Sequence, residues 1–126
     1  MITEDYVSFE TARLLKEKGF EGNVNAYYHI WDNGHRVCSV QEFTHSEAPY
    51  LYIQAPTLQI AMKWLREVHN IFVEISTSID LNGNYHFRYT ILDKECKYIR
   101  RGYTNFDWEY EDACDAAIKY CLENLI

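Results

Sequence analysis

Apolar residues recur with helical spacing in three stretches, which predict helices over residues 8–18, 57–70 and 107–126. Each stretch begins at a residue whose side chain can cap the free N–H groups of the first helical turn: Ser8, Thr57 and Asp107. Gly19 and Asn70 are the residues expected to end the first two helices. The residues expected to face the core are Phe9, Ala12 and Leu15; then Leu58, Ala61, Leu65 and Val68, with Ile60 and Trp64 beside them; and finally Tyr110, Ala113, Cys114, Ala117, Cys121 and Leu125.

The first predicted β-hairpin spans residues 25–40 around Asn33-Gly34, a dipeptide typical of two-residue hairpin loops. With that dipeptide as the loop, the expected pairs are Ile30 with Val37 and Trp31 with Arg36. Both faces of this hairpin carry apolar residues, so hydrophobicity alone specifies its register weakly.

The second predicted hairpin surrounds Asn82-Gly83. A two-residue loop there would place the apolar residues of its two strands on opposite faces. A three-residue loop that starts at Leu81, with Gly83 left-handed in a β-bulge, shifts the register by one residue and brings them together. The pairs expected on the apolar face are Ile79–Tyr85, Thr77–Phe87, Ile75–Tyr89 and Val73–Ile91, and those on the polar face are Ser78–His86, Ser76–Arg88 and Glu74–Thr90.

A further strand is expected after each hairpin, at residues 50–53 and 96–103, with a loop at residues 43–49. Runs of strands followed by helices, after one N-terminal helix, indicate a two-layer α+β fold in which an antiparallel sheet carries the helices on one face. No linker or change of composition divides the chain, so residues 1–126 are expected to form one domain.

The second and third helices resemble each other in sequence, because residues 61–67 (AMKWLRE) align with residues 117–123 (AIKYCLE). Each helix follows an Asn-Gly turn, which indicates a repeated unit of three strands and one helix. Such a repeat predicts that the helices lie side by side on one face of one sheet, with both alanines in close contact and both lysines in solvent. The second unit is seven residues longer, and we place the insertion between Asp93 and Asp107. The alternative is a chance likeness of two amphipathic helices.

Composition narrows the class of protein. With 48% hydrophobic and 25% charged residues among 126, the chain matches a soluble globular protein. It contains no apolar run of the roughly 18–20 residues that a membrane span needs. Its acidic start lacks the basic and apolar regions of a signal peptide, so we expect a cytoplasmic protein without a membrane partner.

No arrangement of cysteine or histidine residues typical of a metal or catalytic site is evident. Cys114 and Cys121 lie two helical turns, or about 10 Å, apart, which is beyond disulfide reach. Cys38 and Cys96 fall in predicted strands, and no pair has the spacing of a zinc site. We therefore expect reduced cysteines, no metal, no cofactor and no catalytic residue.

Five acids crowd the start of the third helix without a base among them: Asp107, Glu109, Glu111, Asp112 and Asp115. Acids are favoured at helix N-termini by the macrodipole, and the alternative is a cation site. An enzyme would require a deep pocket lined by His29, His86 or these acids, with strongly perturbed ionisation.

The charge is distributed unevenly. The net charge is −7, but residues 86–103 carry five bases against two acids, or +3, so the remainder carries −10. Cations beside exposed aromatic rings can hold phosphates and stack on bases. The residues of this candidate ligand or nucleic-acid surface are Arg88, Lys97, Tyr98, Arg100 and Arg101. The alternative is that they protect an edge strand or balance the acidic helix.

Tyrosine is unusually frequent, with 11 residues, most of them on predicted strands. Strands favour tyrosine for packing, but one face of a sheet cannot cover all of these rings. Tyrosine is also enriched at protein interfaces. Together with the broadly apolar second helix, this predicts a non-enzymatic interaction protein, expected to be a homodimer, with nucleic-acid or phosphate binding through residues 86–103 as the alternative.

Three segments, residues 1–20, 56–70 and 110–126, resemble a group of small proteins without known activity from gut-bacterial genomes and their phages or mobile elements. The resemblance spans most of the chain and implies no catalytic residue. It implies an intracellular accessory protein that acts on another protein of host or phage. The order of the first elements is also similar to the α-β-β-β-α order of double-stranded-RNA-binding domains, but Lys63 stands alone where those domains have a basic helix start.

Overall fold

A computed structural model describes residues 2–31, 34–39, 52–102 and 109–126. Three helices and six strands lie within this part of the chain. Their bounds, in chain order, are α1 (Phe9–Glu17), β1 (Ala26–Trp31), β2 (Gly34–Ser39), β3 (Tyr52–Gln54), α2 (Leu58–His69), β4 (Phe72–Ile79), β5 (Tyr85–Leu92), β6 (Tyr98–Arg101) and α3 (Tyr110–Asn124). The predicted α+β class is confirmed, but the strands form two antiparallel three-stranded sheets, not one.

Capping side chains determine where the first two helices begin, as predicted. The Thr11 N–H donates to Ser8 Oγ at 3.3 Å, and the Ile60 N–H donates to Thr57 Oγ1 at 3.2 Å. Gly19 after α1 is left-handed at φ 86°, and Asn70 after α2 is left-handed at φ 55°.

The N-cap of the third helix lies two residues after the predicted cap, Asp107, which is outside the described residues. Its N-cap is Glu109, whose N–H donates to Asp112 Oδ2 at 2.8 Å in a capping box. The prediction was wrong because the Asp112 carboxylate accepts the N–H of the residue three positions before it, and this makes Glu109 the N-cap.

The first sheet has the strand order β2-β1-β3. Its hairpin register differs from the prediction, since Ile30 pairs with His35 and Trp31 with Gly34. The slip of two residues preserves the face of every side chain because side chains alternate with period two, so the hydrophobic pattern could not detect it. Residues 32–33 lie outside the described residues, as does the predicted loop at 43–49.

The second sheet has the strand order β4-β5-β6, and every predicted pair between β4 and β5 is confirmed. The turn is the predicted three-residue loop with Gly83 at φ 83°. Asp80 organises this turn, because its Oδ1 accepts the N–H groups of Asn82 and Asn84 at 2.8 and 2.9 Å.

The turn between β5 and β6 repeats that arrangement. Asp93 Oδ1 accepts the N–H groups of Glu95 and Lys97 at 2.9 and 3.0 Å, and Cys96 takes the left-handed position at φ 62°. Cys96 was predicted in a strand, which was wrong: it lies in the turn and is exposed. The final strand is correspondingly shorter than residues 96–103.

One cluster of buried residues joins both sheets and all three helices. Helix α3 packs on β4 and β5, and it also contacts α1 and α2, while α2 contacts β4. Ile118 and Leu122 of α3 are fully buried, although the residues predicted to face the core in this helix did not include them. The predicted burial of Val68 was wrong, since this residue is exposed. The inward-facing side of α2 continues from Leu65 to His69, which is four residues later and half-buried.

Polar contacts fasten α1 to α3. Asp115 Oδ1 accepts the Ser8 N–H at 2.8 Å, and its Oδ2 accepts the hydroxyls of Ser8 and Thr11 at 2.8 and 3.1 Å. Lys119 Nζ lies 2.7 Å from Glu10 Oε2, and this ion pair lowers the pKa of Glu10 and raises that of Lys119. Asp115, one of the acids at the start of α3, therefore accepts hydrogen bonds that join the two helices.

The repeated order of three strands and a helix is present, and the two aligned alanines, Ala61 and Ala117, are both fully buried. The strand orders differ, however, because the third strand pairs with the first strand in the first unit and with the second strand in the second unit. Helices α2 and α3 contact each other and both contact β4, as the repeat predicts, but the strands of the two units form two separate sheets and not the single sheet that was expected. The expected insertion site falls partly on residues 103–108, outside the described part.

Candidate functional site

The five residues of the predicted basic surface lie on two adjacent strands and the turn between them. Arg88 is on β5, Lys97 ends the turn, and Tyr98, Arg100 and Arg101 are on β6. All five are exposed.

A register shift divides these residues between two faces of the sheet. Tyr98 pairs with Leu92 and Arg101 with Thr90, with an irregularity between Ile91 and Leu92. Without this shift, two residues three positions apart would point to opposite faces. With it, the Arg101 guanidinium lies 4.9 Å from the centre of the Tyr98 ring, on the same side of the sheet.

Arg100 lies on the opposite face. Its guanidinium is 4.8 Å from the centre of the Tyr120 ring on α3, where it packs with the helix layer. Arg88 and Arg101, by contrast, are diagonal neighbours on the face that points away from α3, roughly 7–8 Å apart between Cα atoms. The structure therefore brings Arg88, Tyr98 and Arg101 together and separates Arg100 from them.

No described carboxylate forms an ion pair with any of the four cations of this surface. The alternative in which these bases neutralise the acidic start of α3 is not observed among the described residues. Lys119, which does pair with an acid, lies on another surface and contacts α1. Arg88 and Arg101 thus keep their charges available on an exposed face.

A second exposed surface is the hairpin tip, which we define as Ile79, Leu81 and Tyr85. Ile79 is 60% exposed and Tyr85 is 64% exposed, and Leu81 in the loop is fully exposed. Ile79 and Tyr85 are a cross-strand pair on the face that, nearer α3, holds the buried Tyr89 and Ile91. The predicted pairing was right but the expected burial at this end was wrong, because the hairpin extends beyond the helices that cover its other end.

The base of the hairpin tip is held by a polar pair. His86 Nε2 lies 2.9 Å from Asp80 Oδ2. This contact, followed by the backbone N–H groups of the turn, lowers the pKa of Asp80 to about 2. Asp80 is therefore ionised at neutral pH, where it stabilises the turn that presents Leu81.

A groove of about 690 Å³ runs beside the C-terminal end of α1. Its lining residues are Ala12, Lys16, Phe20, Glu21, Gly22, Asn23, Tyr27, Tyr52, Ile53 and Gln54. It contains neither His29 nor His86, the histidines whose presence would favour an enzyme. A smaller cleft of about 150 Å³ includes Glu111, one of the acids at the start of α3.

The two cysteines of α3 belong to the core. Cys114 and Cys121 are fully buried, and burial raises the pKa of their thiols to about 11 and about 12, which disfavours a reactive thiolate. Within the described residues, no three His, Cys, Asp or Glu side chains come together in a way that could hold a metal ion.

Comparisons with known proteins add no further constraint: no family model, no curated protein and no solved structure matches the chain. None of the described helices combines the length and apolar character that crossing a membrane requires.

Proposed function

We propose that this protein is a non-enzymatic interaction protein that binds another protein through the hairpin tip. The observation that carries this proposal is the exposure of Ile79, Leu81 and Tyr85 together at the end of one hairpin. Exposed apolar groups cost free energy in water, and contiguous ones are typical of protein-binding sites. Tyr85 also provides an aromatic ring that can bury a large area at low cost in side-chain entropy.

The hairpin is well suited to hold such a surface. Its inner end is anchored in the core through Tyr89 and Ile91, and its outer turn is fixed by the hydrogen bonds of Asp80. The tip therefore presents its side chains with little loss of backbone freedom on binding, which favours affinity.

The test is capture of binding proteins by the full chain from a lysate of its native cell, quantified by mass spectrometry. The double variant Ile79→Ser/Tyr85→Ser removes the apolar tip. The control, Ile60→Ser/Val68→Ser, removes exposed apolar side chains from α2. We expect a protein that the original chain and the control both retain and that the tip variant loses at least tenfold. Equal capture by both variants would contradict the proposal.

We also propose a second function, the binding of an anionic group such as a nucleic-acid phosphate between Arg88 and Arg101. The observation that favours it is that both guanidinium groups are exposed on one face without a described carboxylate partner, beside the Tyr98 ring. A phosphate can accept hydrogen bonds from two arginines, and a base can stack on the exposed tyrosine. The net charge of −7 opposes tight binding, so we expect a weak, salt-dependent interaction.

Fluorescence anisotropy with labelled single-stranded RNA and DNA across a salt series tests this second function. Binding should weaken as salt rises and should disappear in Arg88→Ala/Arg101→Ala. Arg66→Ala, which removes an exposed arginine from α2, is the matched control and should bind like the original chain. Binding that does not depend on salt, or that survives the double substitution, would exclude this surface.

A further inference from the structure

Among the described strands, β4 is an edge of the second sheet, and it lacks the usual protection against pairing. Strand β4, with the sequence FVEISTSI, has eight residues, no proline and no lysine, and it pairs with β5 without a bulge. Glu74 is its only charged residue. The other edge of this sheet, β6, has four residues, two arginines and a register shift. Long, regular and uncharged edges are the ones that accept another strand.

The hydrogen-bonding groups of β4 that point away from β5 can be assigned from the turn. The Asp80 N–H donates to the Asn84 carbonyl at 2.9 Å, so residue 80 faces β5. Because the direction alternates along a strand, residues 78, 76, 74 and 72 face β5 as well. The N–H and C=O groups of Val73, Ile75, Thr77 and Ile79 therefore point outward, and no group among the described residues bonds to them.

Resting on the function proposed for the hairpin, we propose that its partner is a second copy of this chain. The two copies pair antiparallel along β4, around a two-fold axis at Ser76. In this register Val73 pairs with the Ile79 of the other copy, and Ile75 pairs with its Thr77. Each of these pairs exchanges two hydrogen bonds, so all outward groups of the four residues are satisfied and the two sheets become one sheet of six strands.

Side chains select this register over its neighbours. A shift of one residue would oppose the helix-covered face of one copy to the uncovered face of the other. A shift of two residues in one direction leaves Ile79 without a strand partner, and the same shift in the other direction places Glu74 opposite Asp80 of the other copy, where like charges meet. In the chosen register Glu74 lies opposite Ser78 of the other copy, so no like charges meet.

The pairing also accounts for the exposed hairpin tip. Ile79, 60% exposed in a single chain, would lie beside the Val73 of the other copy, whose face is covered by α2 and α3. Tyr85 neighbours Ile79 on the same face, so the hairpin tip of each copy would lie next to the helices that cover the sheet of the other copy. The interface is reciprocal, because both contributions come from the same surface.

The mass of the full chain in solution is the first test. Sedimentation or light scattering should give about 30 kDa, twice the 15.0 kDa of one chain. Thr77→Pro removes an outward N–H without touching the bonds to β5, and it should give the mass of one chain. Thr77→Val keeps that N–H and should remain a dimer. A monomeric original chain would overturn the proposal.

Disulfide trapping tests the register even where a proline variant folds poorly. In a background with Cys38→Ser and Cys96→Ser, Ser76→Cys places two thiols directly opposite each other on the axis and should cross-link under mild oxidation. Ser78→Cys, whose two copies would lie about 13 Å apart along the strands, should not. A folded dimer in which Ser76→Cys fails to cross-link, or in which Ser78→Cys cross-links equally, would overturn this interface. If the chain is a monomer but captures a different protein from the lysate, and Ile79→Ser/Tyr85→Ser loses that capture, the self-pairing is overturned and the proposed function stands.

Discussion

Replacing Asp115 with alanine removes three hydrogen bonds that join the start of α1 to α3. Two of them engage Ser8, through its N–H and its hydroxyl, and the third engages the hydroxyl of Thr11. Ser8 is also the N-cap of α1, so the same substitution loosens the residue that determines where this helix begins.

The magnitude follows from the burial of each donor. Thr11 is fully buried, but its hydroxyl can still bond to Ser8 Oγ at 3.0 Å, so its loss lies near the lower end of the 1–3 kcal/mol of an unsatisfied buried group. The Ser8 groups are exposed and water can replace the carboxylate, which leaves about 0.5–1 kcal/mol for each bond. We expect a total loss of about 2–3 kcal/mol for Asp115→Ala and about half as much for Asp115→Asn, which keeps an acceptor oxygen.

Urea unfolding followed by circular dichroism measures this loss as a lower midpoint at an unchanged slope. Glu123→Ala is the matched control, because Glu123 is an exposed acid on the same helix, and its replacement should change the free energy of unfolding by less than about 0.5 kcal/mol. If Asp115→Ala stays within that same margin, the contact between α1 and α3 does not contribute to stability as argued.

The two Asp-initiated turns predict opposite effects of glycine. Gly83→Ala should cost about 1 kcal/mol at φ 83°, whereas Cys96→Gly should gain about 0.5–1 kcal/mol at φ 62°, both measured by urea unfolding; equal signs would contradict the assignment. Gly102→Ala should cost about 2–3 kcal/mol, because a Cβ there would overlap the Tyr89 ring, and a neutral result would show that the ring can move. The pKa of Asp80 falls from 3.8 to about 2 on folding, so its contribution is complete above about pH 4 and is lost as pH falls through 2; the stability difference from Asp80→Asn should narrow over that range, and a constant difference would refute it.

Features that depend on neighbouring residues could be predicted from the sequence. Ser8 and Thr57 cap their helices through side chains three residues from their partners, and Gly83 fits the only loop that aligns the apolar residues of β4 and β5. These features need no knowledge of the rest of the fold. The turn at Cys96 shows the limit of this approach, because it has the same hydrogen bonds as the turn at Gly83 but a residue that rarely adopts the left-handed conformation.

Features that depend on distant contacts could not be predicted. Alternation correctly placed Ile79 and Tyr85 on the same face as Tyr89, but no pattern in the hairpin shows where the helices above it end. The candidate basic surface was predicted as one group, and the register shift near Tyr98 separates Arg100 from Arg101. The sequence signals neither the shift nor the division of the strands into two sheets.

The difference between the two strand-strand-strand-helix units has a consequence for binding. In the first unit the third strand, β3, pairs with the first strand, so β1 lies in the middle of its sheet. In the second unit the third strand, β6, pairs with β5 and leaves β4 at the edge. Had the second unit followed the order of the first, β6 would cover the outward groups of β4. The unprotected edge therefore arises because the strand order of the second unit differs from that of the first. The basic surface has the same origin, because the pairing of β6 with β5 places Arg101 beside Arg88.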